Sequence, residues 1–340
     1  MAVTNRRYRG LILTLFLLLF ASVLLALCMG QYRISAGNVF SILLGRSGEW
    51  TETMYRVVMY SRLPRVIAAV AVGASLALAG AAYQGVFRNP LVSSDLLGVS
   101  HGACVGAALS IILGLGRIGN IVLAFIGGSI AVFLAVLFPT LINKKSTISL
   151  VLSGVIVGGF FSSLLGLLKY VADPDTELAE ITYWQLGSLS KVKPESLYLI
   201  IPVMFLSGLV IFLFRWRINV ISLGDKEAQT LGINLQKERG IIILSSTLLT
   251  AAAICISGTI GWIGLIMPHL ARMLVGQDNK KVIPVAGLMS AIFLIVVDTA
   301  ARNLTGAEIP LGIITGFLGT PFFAFVLIRQ KTPCRRYIWH

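Results

Sequence analysis

Long apolar stretches recur along most of this chain, and they constrain its fold more than any other feature. A helix needs about 20 apolar residues to cross a bilayer. Only 12% of the residues are charged, whereas soluble domains carry about 25%. The sequence therefore predicts an all-α polytopic membrane protein, with residues 1–340 forming one transmembrane domain. The ten predicted spans are 10–29, 63–83, 94–113, 118–141, 148–171, 195–214, 240–257, 260–274, 282–299 and 310–328.

The third and eighth of these spans have the least well-defined boundaries. The eighth, 260–274, is short and contains Gly261, Gly264 and Pro268. Because glycine and proline interrupt regular helix, we expect this span to be broken or strongly tilted.

The Lys and Arg residues are distributed unevenly between the predicted loops. The formal net charge is +14, which by itself would suit a nucleic-acid partner. With the N-terminus placed in the cytoplasm, most of these residues fall in cytoplasmic segments, as the positive-inside rule requires. The even number of spans then puts both termini in the cytoplasm. The excess of basic over acidic residues is therefore explained without a nucleic-acid partner, and we expect membrane lipid to surround the chain.

The sequence lacks the motifs that several chemical functions require. It has no GxxxxGK(S/T) phosphate-binding loop, so we expect no ATP hydrolysis by this chain. It has no HExxH motif, and none of its three histidines pairs with another at ligand spacing, so we expect neither a metal site nor a catalytic centre. The predicted spans hold almost no acidic residues near their middle. This disfavours an ion-coupled secondary carrier, which stays an alternative.

The most charged part of the chain is the segment 215–239, RWRINVISLGDKEAQTLGINLQKER. Within it, 225–231 predicts a short polar helix, bracketed by Gly224 and Gly232, with Asp225 as a first-turn acid or N-cap. A polar segment between two spans is either a solvated connector or a surface that a soluble partner binds. The pattern alone leaves both interpretations open.

Three ordered motifs resemble a known family. They are RLPRVIAAVAVGASLALAGAAYQGVFRNPLVSSDLLGVSHGA at 62–103, SLGDKEAQTLGI at 222–233, and GTIGWIGLIMPHLARMLVGQD with DTAARNLTGAEIPLGIITGFLGTPFF at 258–278 and 298–323. The chain resembles the FecCD family over roughly residues 10–330. Members are permease subunits of iron-siderophore, haem and vitamin B12 importers, which are ATP-binding-cassette (ABC) transporters with the type II import fold.

The resemblance implies partners for this chain. We expect a second permease subunit, most simply in a homodimer, with the transport path between the two subunits. Two cytoplasmic ATPase subunits would bind ATP and Mg, so this chain itself would hold no cofactor. A substrate-binding protein would deliver the substrate to the inner membrane of a bacterium. An iron chelate (siderophore or haem) is the expected substrate; vitamin B12 or an oxyanion such as molybdate is the alternative within the family.

The resemblance also assigns roles to particular residues. ATPase coupling would fall to Leu223, Gly224, Asp225, Lys226, Glu227, Ala228, Leu231 and Gly232. Docking of the binding protein would use Arg62, Arg65 and Arg302 as exposed arginines that pair with carboxylates. Asn89 and Leu91 would close the path at its cytoplasmic end, Ser146 and Thr147 would form a second gate, and His101 would face the path.

Each of these roles has a simpler structural alternative. The three arginines could extend to the membrane interface, as long basic side chains commonly do. The Asn89-Pro90 pair predicts a turn in any case, and in the second gate Ile148 stands where a small polar residue can occur. A lone histidine in a span is more often satisfied by a neighbouring carbonyl, and His269, in a motif that the family shares, is expected to be structural.

Overall fold

The protein is an α-helical bundle. The computed structural model describes residues 4–141, 147–304 and 308–331, and within these ranges every regular element is helical. A π-helical segment, Val57–Arg62, joins α3 to α4 without a break. The helices are α1 (Asn5–Cys28), α2 (Ala36–Leu43), α3 (Glu52–Arg56), α4 (Leu63–Val86), α5 (Val99–Ile112), α6 (Gly116–Leu141), α7 (Thr147–Val171), α8 (Glu177–Gln185), α9 (Pro194–Leu223), α10 (Asp225–Thr230), α11 (Leu235–Ser257), α12 (Ile263–Val275), α13 (Asn279–Asn303) and α14 (Leu311–Lys331).

The ten predicted spans correspond to ten apolar helices in the described part of the chain. Seven of these are long enough to cross a membrane and three are shorter. Both irregular predicted spans fall among the short helices: α5 has 14 residues and α12 has 13. At 1.5 Å per residue each is about 20 Å long, less than the hydrocarbon thickness of about 30 Å. The all-α membrane fold is therefore confirmed, and two of its spans are only partly helical.

Helices α4, α11 and α13 form the centre of the bundle. In the most apolar part of α11, 72% of the residues are buried, compared with 22% in α1 and 33% in α7. The outer helices thus present apolar side chains such as Phe16, Leu152 and Phe160 on the outside of the bundle. In a bilayer such faces contact lipid or another protein subunit.

The centre is packed through glycine. A Cβ added to Gly80 in α4 would collide with the backbone carbonyl of Gly264 in α12, and one added to Gly106 in α5 would collide with that of Leu123 in α6. Small residues let helix backbones approach closely. Glycine therefore allows close packing at these two crossings, whereas a Cβ on Gly316 in α14 would meet nothing.

The two ends of the bundle carry different elements. We name them the α10 end and the α8 end after the short polar helix that each contains. The ring of Tyr8, near the start of α1, lies 5.8 Å from Nζ of Lys281 in α13. Close by, the backbone amide of Asn279 in α13 donates to Oδ1 of Asn219 near the end of α9 (2.7 Å). The start of α1 therefore lies at the α10 end, whereas α2 and α3 lie at the α8 end.

The segment between α4 and α5 is not helical but is held inside the bundle. The amide of Gln84 donates to the carbonyls of Val92 (3.1 Å) and Leu265 (3.3 Å), and Thr250 Oγ1 donates to Ser94 O (3.3 Å). Backbone polar groups at membrane depth require such partners. This segment therefore replaces the missing helical turns of α5 and connects α4, α11 and α12.

Candidate functional site

The short helix α10 matches the sequence prediction closely. It spans Asp225–Thr230 and follows Gly224, whose φ of 144° favours glycine. Gly224 occupies the N-cap position, so the alternative that Asp225 is the N-cap is wrong, while its place as a first-turn acid is confirmed. Ala228 and Ile233 are buried and hold the helix against the bundle.

The outward surface of α10 combines apolar and charged side chains. Leu223 is 66% exposed and Leu231 is 58% exposed, and Lys226 and Glu227 between them are also exposed. Two exposed leucines on either side of a six-residue polar helix give a small apolar area within a polar rim. This composition is typical of a protein contact.

Asp225 is held within the chain. Arg239 donates to both carboxylate oxygens, from Nη2 to Oδ1 (2.6 Å) and from Nη1 to Oδ2 (3.1 Å), and Arg88 Nη2 lies 3.2 Å from Oδ1. The hydrogen bond from Arg239, together with the charges of both arginines, lowers the pKa of Asp225 against the opposing effect of partial burial. The Asp225 carboxylate is therefore paired within the chain, and its part in ATPase coupling stays a prediction.

The ends of α9 and α11 are joined beside α10. Arg217 in α9 forms a close ion pair with Glu238 in α11, whose side chain is 11% exposed. Together with the contact between Arg239 and Asp225, this pair connects three consecutive helices. The segment 215–239 is therefore an ordered structure and not a loose solvated connector.

The predicted gate residues Asn89 and Leu91 lie in the turn after α4. The side chain of Asn89 accepts a hydrogen bond from the Leu91 amide (2.9 Å), which closes the turn, and both residues are exposed. The ion pair between Arg88 and Asp225 places this turn beside α10. The Asn-Pro turn is thus confirmed, while closure of a path by these residues stays a prediction.

The second predicted gate lies largely outside the described residues. Ser146 falls in the undescribed range 142–146, and Thr147 is described only as the first residue of α7. Their role as a gate remains a prediction.

His101 lies in the first turn of α5 and is exposed. Its Nδ1 is 3.6 Å from the position that a Cβ on Gly158 of α7 would take, so the ring lies between these two helices. Within the described residues no carbonyl forms a hydrogen bond with it, contrary to the simpler alternative. An exposed ionisable side chain in a membrane helix indicates a polar environment there; contact with a path stays a prediction.

At the α8 end, the three arginines predicted to be exposed are buried. Arg62, Arg65 and Arg302 are only 4%, 6% and 8% exposed. The Arg62 guanidinium donates to the carbonyls of Leu27 (2.6 Å) and Cys28 (3.0 Å) and also to that of Tyr32. Its role is to satisfy carbonyls that the end of α1 leaves without helical partners.

Arg65 and Arg302 belong to a buried charge cluster. Arg65 donates to both oxygens of Asp298 (2.8 and 3.0 Å) and both oxygens of Glu308 (2.8 and 2.9 Å). Arg302 Nε lies 3.3 Å from Asp298 Oδ2. The prediction that these arginines are exposed is therefore wrong, because Asp298 pairs with both of them inside the chain and Glu308 pairs with Arg65. The i,i+4 spacing of Asp298 and Arg302 was a sequence signal for this pairing.

The comparisons with known proteins identify the family. The family model of the FecCD transport family matches residues 17–329. The chain belongs to the FecCD transport family. A molybdate import system permease protein, MolB, of Haemophilus influenzae is 36% identical to this chain, over 95% of it and 97% of the relative. The "Probable iron chelatin transport system permease protein" of Helicobacter pylori strain 26695 is 41% identical, over 81% and 83%.

A solved structure agrees with this assignment. A structure described as an inward-facing conformation of a metal-chelate type ABC transporter superposes with a TM-score of 0.85. It is 35% identical and covers 94% of this chain and 99% of that chain. This FecCD-family chain is therefore a permease subunit of the ABC importer class, and ATP hydrolysis is carried out by a separate ATPase subunit.

This permease also contains a cavity of about 840 Å³ at the α8 end. It is bounded by α5, α6, α8 and the end of α11, and its lining includes Ser110, Arg117, Asn120, Tyr183 and Lys191. Ser110 Oγ and Asn120 Oδ1 have no hydrogen-bond partner among the described residues. The described residues contain no group of three His, Cys, Asp or Glu side chains able to hold a metal ion.

Proposed function

We propose that this permease imports an iron chelate, a siderophore or haem, that a substrate-binding protein delivers from outside the cell. The supporting observation is the 41% identity to a relative named for iron chelatin transport. The match to MolB, which covers nearly all of both chains, supports molybdate as the second candidate. The family itself contains both kinds of permease, so the substrate follows from neither the fold nor the family.

The experiment for the substrate uses the complete importer. The permease, its ATPase and its binding protein are reconstituted in liposomes, and uptake of radioactive ferric siderophore, haem and molybdate is measured with ATP inside. Accumulation of an iron chelate that excess unlabelled molybdate does not reduce supports the proposal. Accumulation of molybdate alone would replace it with the second candidate.

The surface around α10 is the proposed docking site of the ATPase. Its support is the exposed pair Leu223 and Leu231 beside Lys226 and Glu227, on a segment that ion pairs hold in place. ATPase subunits are cytoplasmic, so the α10 end and the N-terminus would be cytoplasmic, as the distribution of Lys and Arg also favours. The C-terminus would be on the same side, in the inner membrane of a bacterium.

The docking proposal can be tested by co-purification in mild detergent. Deletion of 225–231, or the pair Leu223→Asp and Leu231→Asp, should abolish recovery of the ATPase while the permease still inserts into the membrane. The matched control is Leu44→Asp, which changes a leucine of similar exposure (62%) at the α8 end. Normal ATPase recovery with the double variant would refute the docking site.

A second copy of this permease is the proposed membrane partner. Helices α7 and α14 present Phe160, Tyr170 and Phe317, which are at least 62% exposed, and Gly316 in α14 faces open space. By family resemblance α5, α7, α12 and α14 of the two subunits would line the path. Native mass spectrometry from detergent should show two permease chains per complex; a single chain bound to ATPase would contradict this.

A further inference from the structure

Asp225 joins two parts of the protein that are far apart in sequence. Arg239 holds the carboxylate in two hydrogen bonds and fixes α10 to α11. Nη2 of Arg88, which follows α4, lies 3.2 Å from Oδ1 of the same carboxylate. The contact with Arg88 is an ion pair, whereas Arg239 forms both an ion pair and hydrogen bonds. The result is a bridge between α10 and the turn at 87–92.

The backbone at Arg88 has an uncommon conformation. Its φ is 52°, a left-handed value that few residues other than glycine adopt. Such a value persists where the surrounding structure imposes it. Here the turn is closed by the Asn89 side chain, and Arg88 Nη2 lies beside Asp225. The ion pair therefore starts from a residue whose backbone belongs to a defined turn.

The turn is connected in the other direction to the interior of the bundle. Gln84, one helical turn before Arg88, donates to the carbonyl of Val92 (3.1 Å) and to that of Leu265 in α12 (3.3 Å). The guanidinium of Arg272 in α12 in turn donates to the Gln84 side chain. A displacement of the turn thus reaches the non-helical segment before α5 and the short helix α12.

We propose that Arg88 is a positioning residue that transmits movement of α10 to the turn between α4 and α5, with Asp225 as its partner on α10. This inference rests on the proposed docking of the ATPase at α10. When the ATPase pushes α10, the arginine carries the displacement to Asn89 and Leu91. A contiguous set of ion pairs and hydrogen bonds can carry such coupling.

The direct test measures movement of the turn and needs no transport substrate. Leu91, which is 53% exposed, is changed to Cys in the complex of permease and ATPase. The labelling rate by a membrane-impermeant maleimide is compared between the nucleotide-free and the ADP-vanadate-trapped complex. We expect the two rates to differ by about fivefold or more. Equal rates would overturn the proposal, because the turn would then not respond to nucleotide.

Variants at the bridge locate the connection. Arg88→Asn removes the guanidinium but tolerates the left-handed backbone, since asparagine adopts it more readily than other residues. We expect the two labelling rates to become equal while ATPase recovery and hydrolysis persist. Arg88→Lys, which keeps the charge, should restore part of the difference. Asp225→Asn should likewise make the two labelling rates equal without changing the turn; because Asp225 lies on α10, recovery of the ATPase is measured alongside.

The matched control is Arg56→Gln. Arg56 forms an exposed ion pair with Glu52 (2.9 Å) at the opposite end, and its replacement should leave the labelling difference unchanged. A nucleotide response that survives both Arg88→Asn and Asp225→Asn would overturn the bridge but not the docking site. Loss of ATPase recovery in Arg88→Asn would also overturn the bridge, because it would indicate that Arg88 contacts the ATPase directly. A wild-type chain that recovers no ATPase would instead refute the docking proposal, and the bridge with it.

Discussion

The two ends of the permease use arginine in opposite ways. At the α8 end, Arg65 contacts two acids, and Arg65 and Asp298 are nearly inaccessible to solvent. At the α10 end, Asp225 contacts two arginines, and the Asp225 side chain is 46% exposed. A buried pair is costly to open because the remaining charge has no water to solvate it. An exposed pair opens cheaply. The comparison indicates a fixed α8 end and an α10 end that can rearrange.

The largest expected effect is at Arg65. Arg65→Ala should lower the free energy of unfolding by about 3 kcal/mol or more, because Asp298 would stay buried with Arg302 as its remaining partner. Thermal unfolding in detergent measures this loss. Arg56→Ala, in an exposed ion pair, is the control and should change stability by less than about 1 kcal/mol. Equal effects of the two variants would remove the contrast between buried and exposed pairs.

A smaller loss is expected at Arg62. Arg62→Met retains much of the side-chain volume but leaves the carbonyls of Leu27, Cys28 and Tyr32 without their donor. We expect a loss of about 2 kcal/mol in the same unfolding measurement. If Arg62→Met instead left stability unchanged and weakened docking of the binding protein, the corrected assignment of this arginine would itself be wrong.

The corresponding change at the α10 end should cost less. Arg239→Ala removes the bidentate contact with Asp225, but Arg88 remains as a partner. We expect a loss of about 1 kcal/mol. A loss as large as that of Arg65→Ala would show that the α10 end is as rigid as the α8 end.

The smallest expected effect is that of pH on Asp225. Its pKa in the folded protein lies below the ordinary value of 3.8, chiefly because Arg239 donates a hydrogen bond to the ionised form. The stabilisation is therefore complete above about pH 4 and is lost as the pH falls through the folded-state pKa. The difference in unfolding midpoint between the wild type and Asp225→Asn should be constant from pH 8 to 5 and shrink below about pH 4. A change between pH 8 and 5 would indicate another titrating group.

The sequence predicted what depends on neighbouring residues. Apolar stretches of sufficient length gave the ten spans, and Gly224 and Gly232 marked the bounds of α10. The eighth predicted span was expected to be broken or strongly tilted; α12 is one unbroken helix of 13 residues with Pro268 inside it, and its tilt stays a prediction. These features are local, because helix length and helix ends are determined within a few turns.

The sequence did not reveal contacts between distant residues. Arg65 lies 233 residues from Asp298, and Arg88 meets Asp225 only after the four intervening spans have folded. Whether an arginine is exposed depends on which acid the fold brings to it, so the docking prediction assumed exposed side chains that the structure shows to be buried. The partners of α10 were missed for the same reason.

The contact between Gly80 and Gly264 has a mechanical consequence. Two backbones this close leave little room for sliding past each other, so we expect α4 and α12 to move as one body during transport. Spin labels placed on these two helices should keep one distance in every nucleotide state. We therefore expect the changes of shape that open and close a transport path to occur outside the α4–α12 pair.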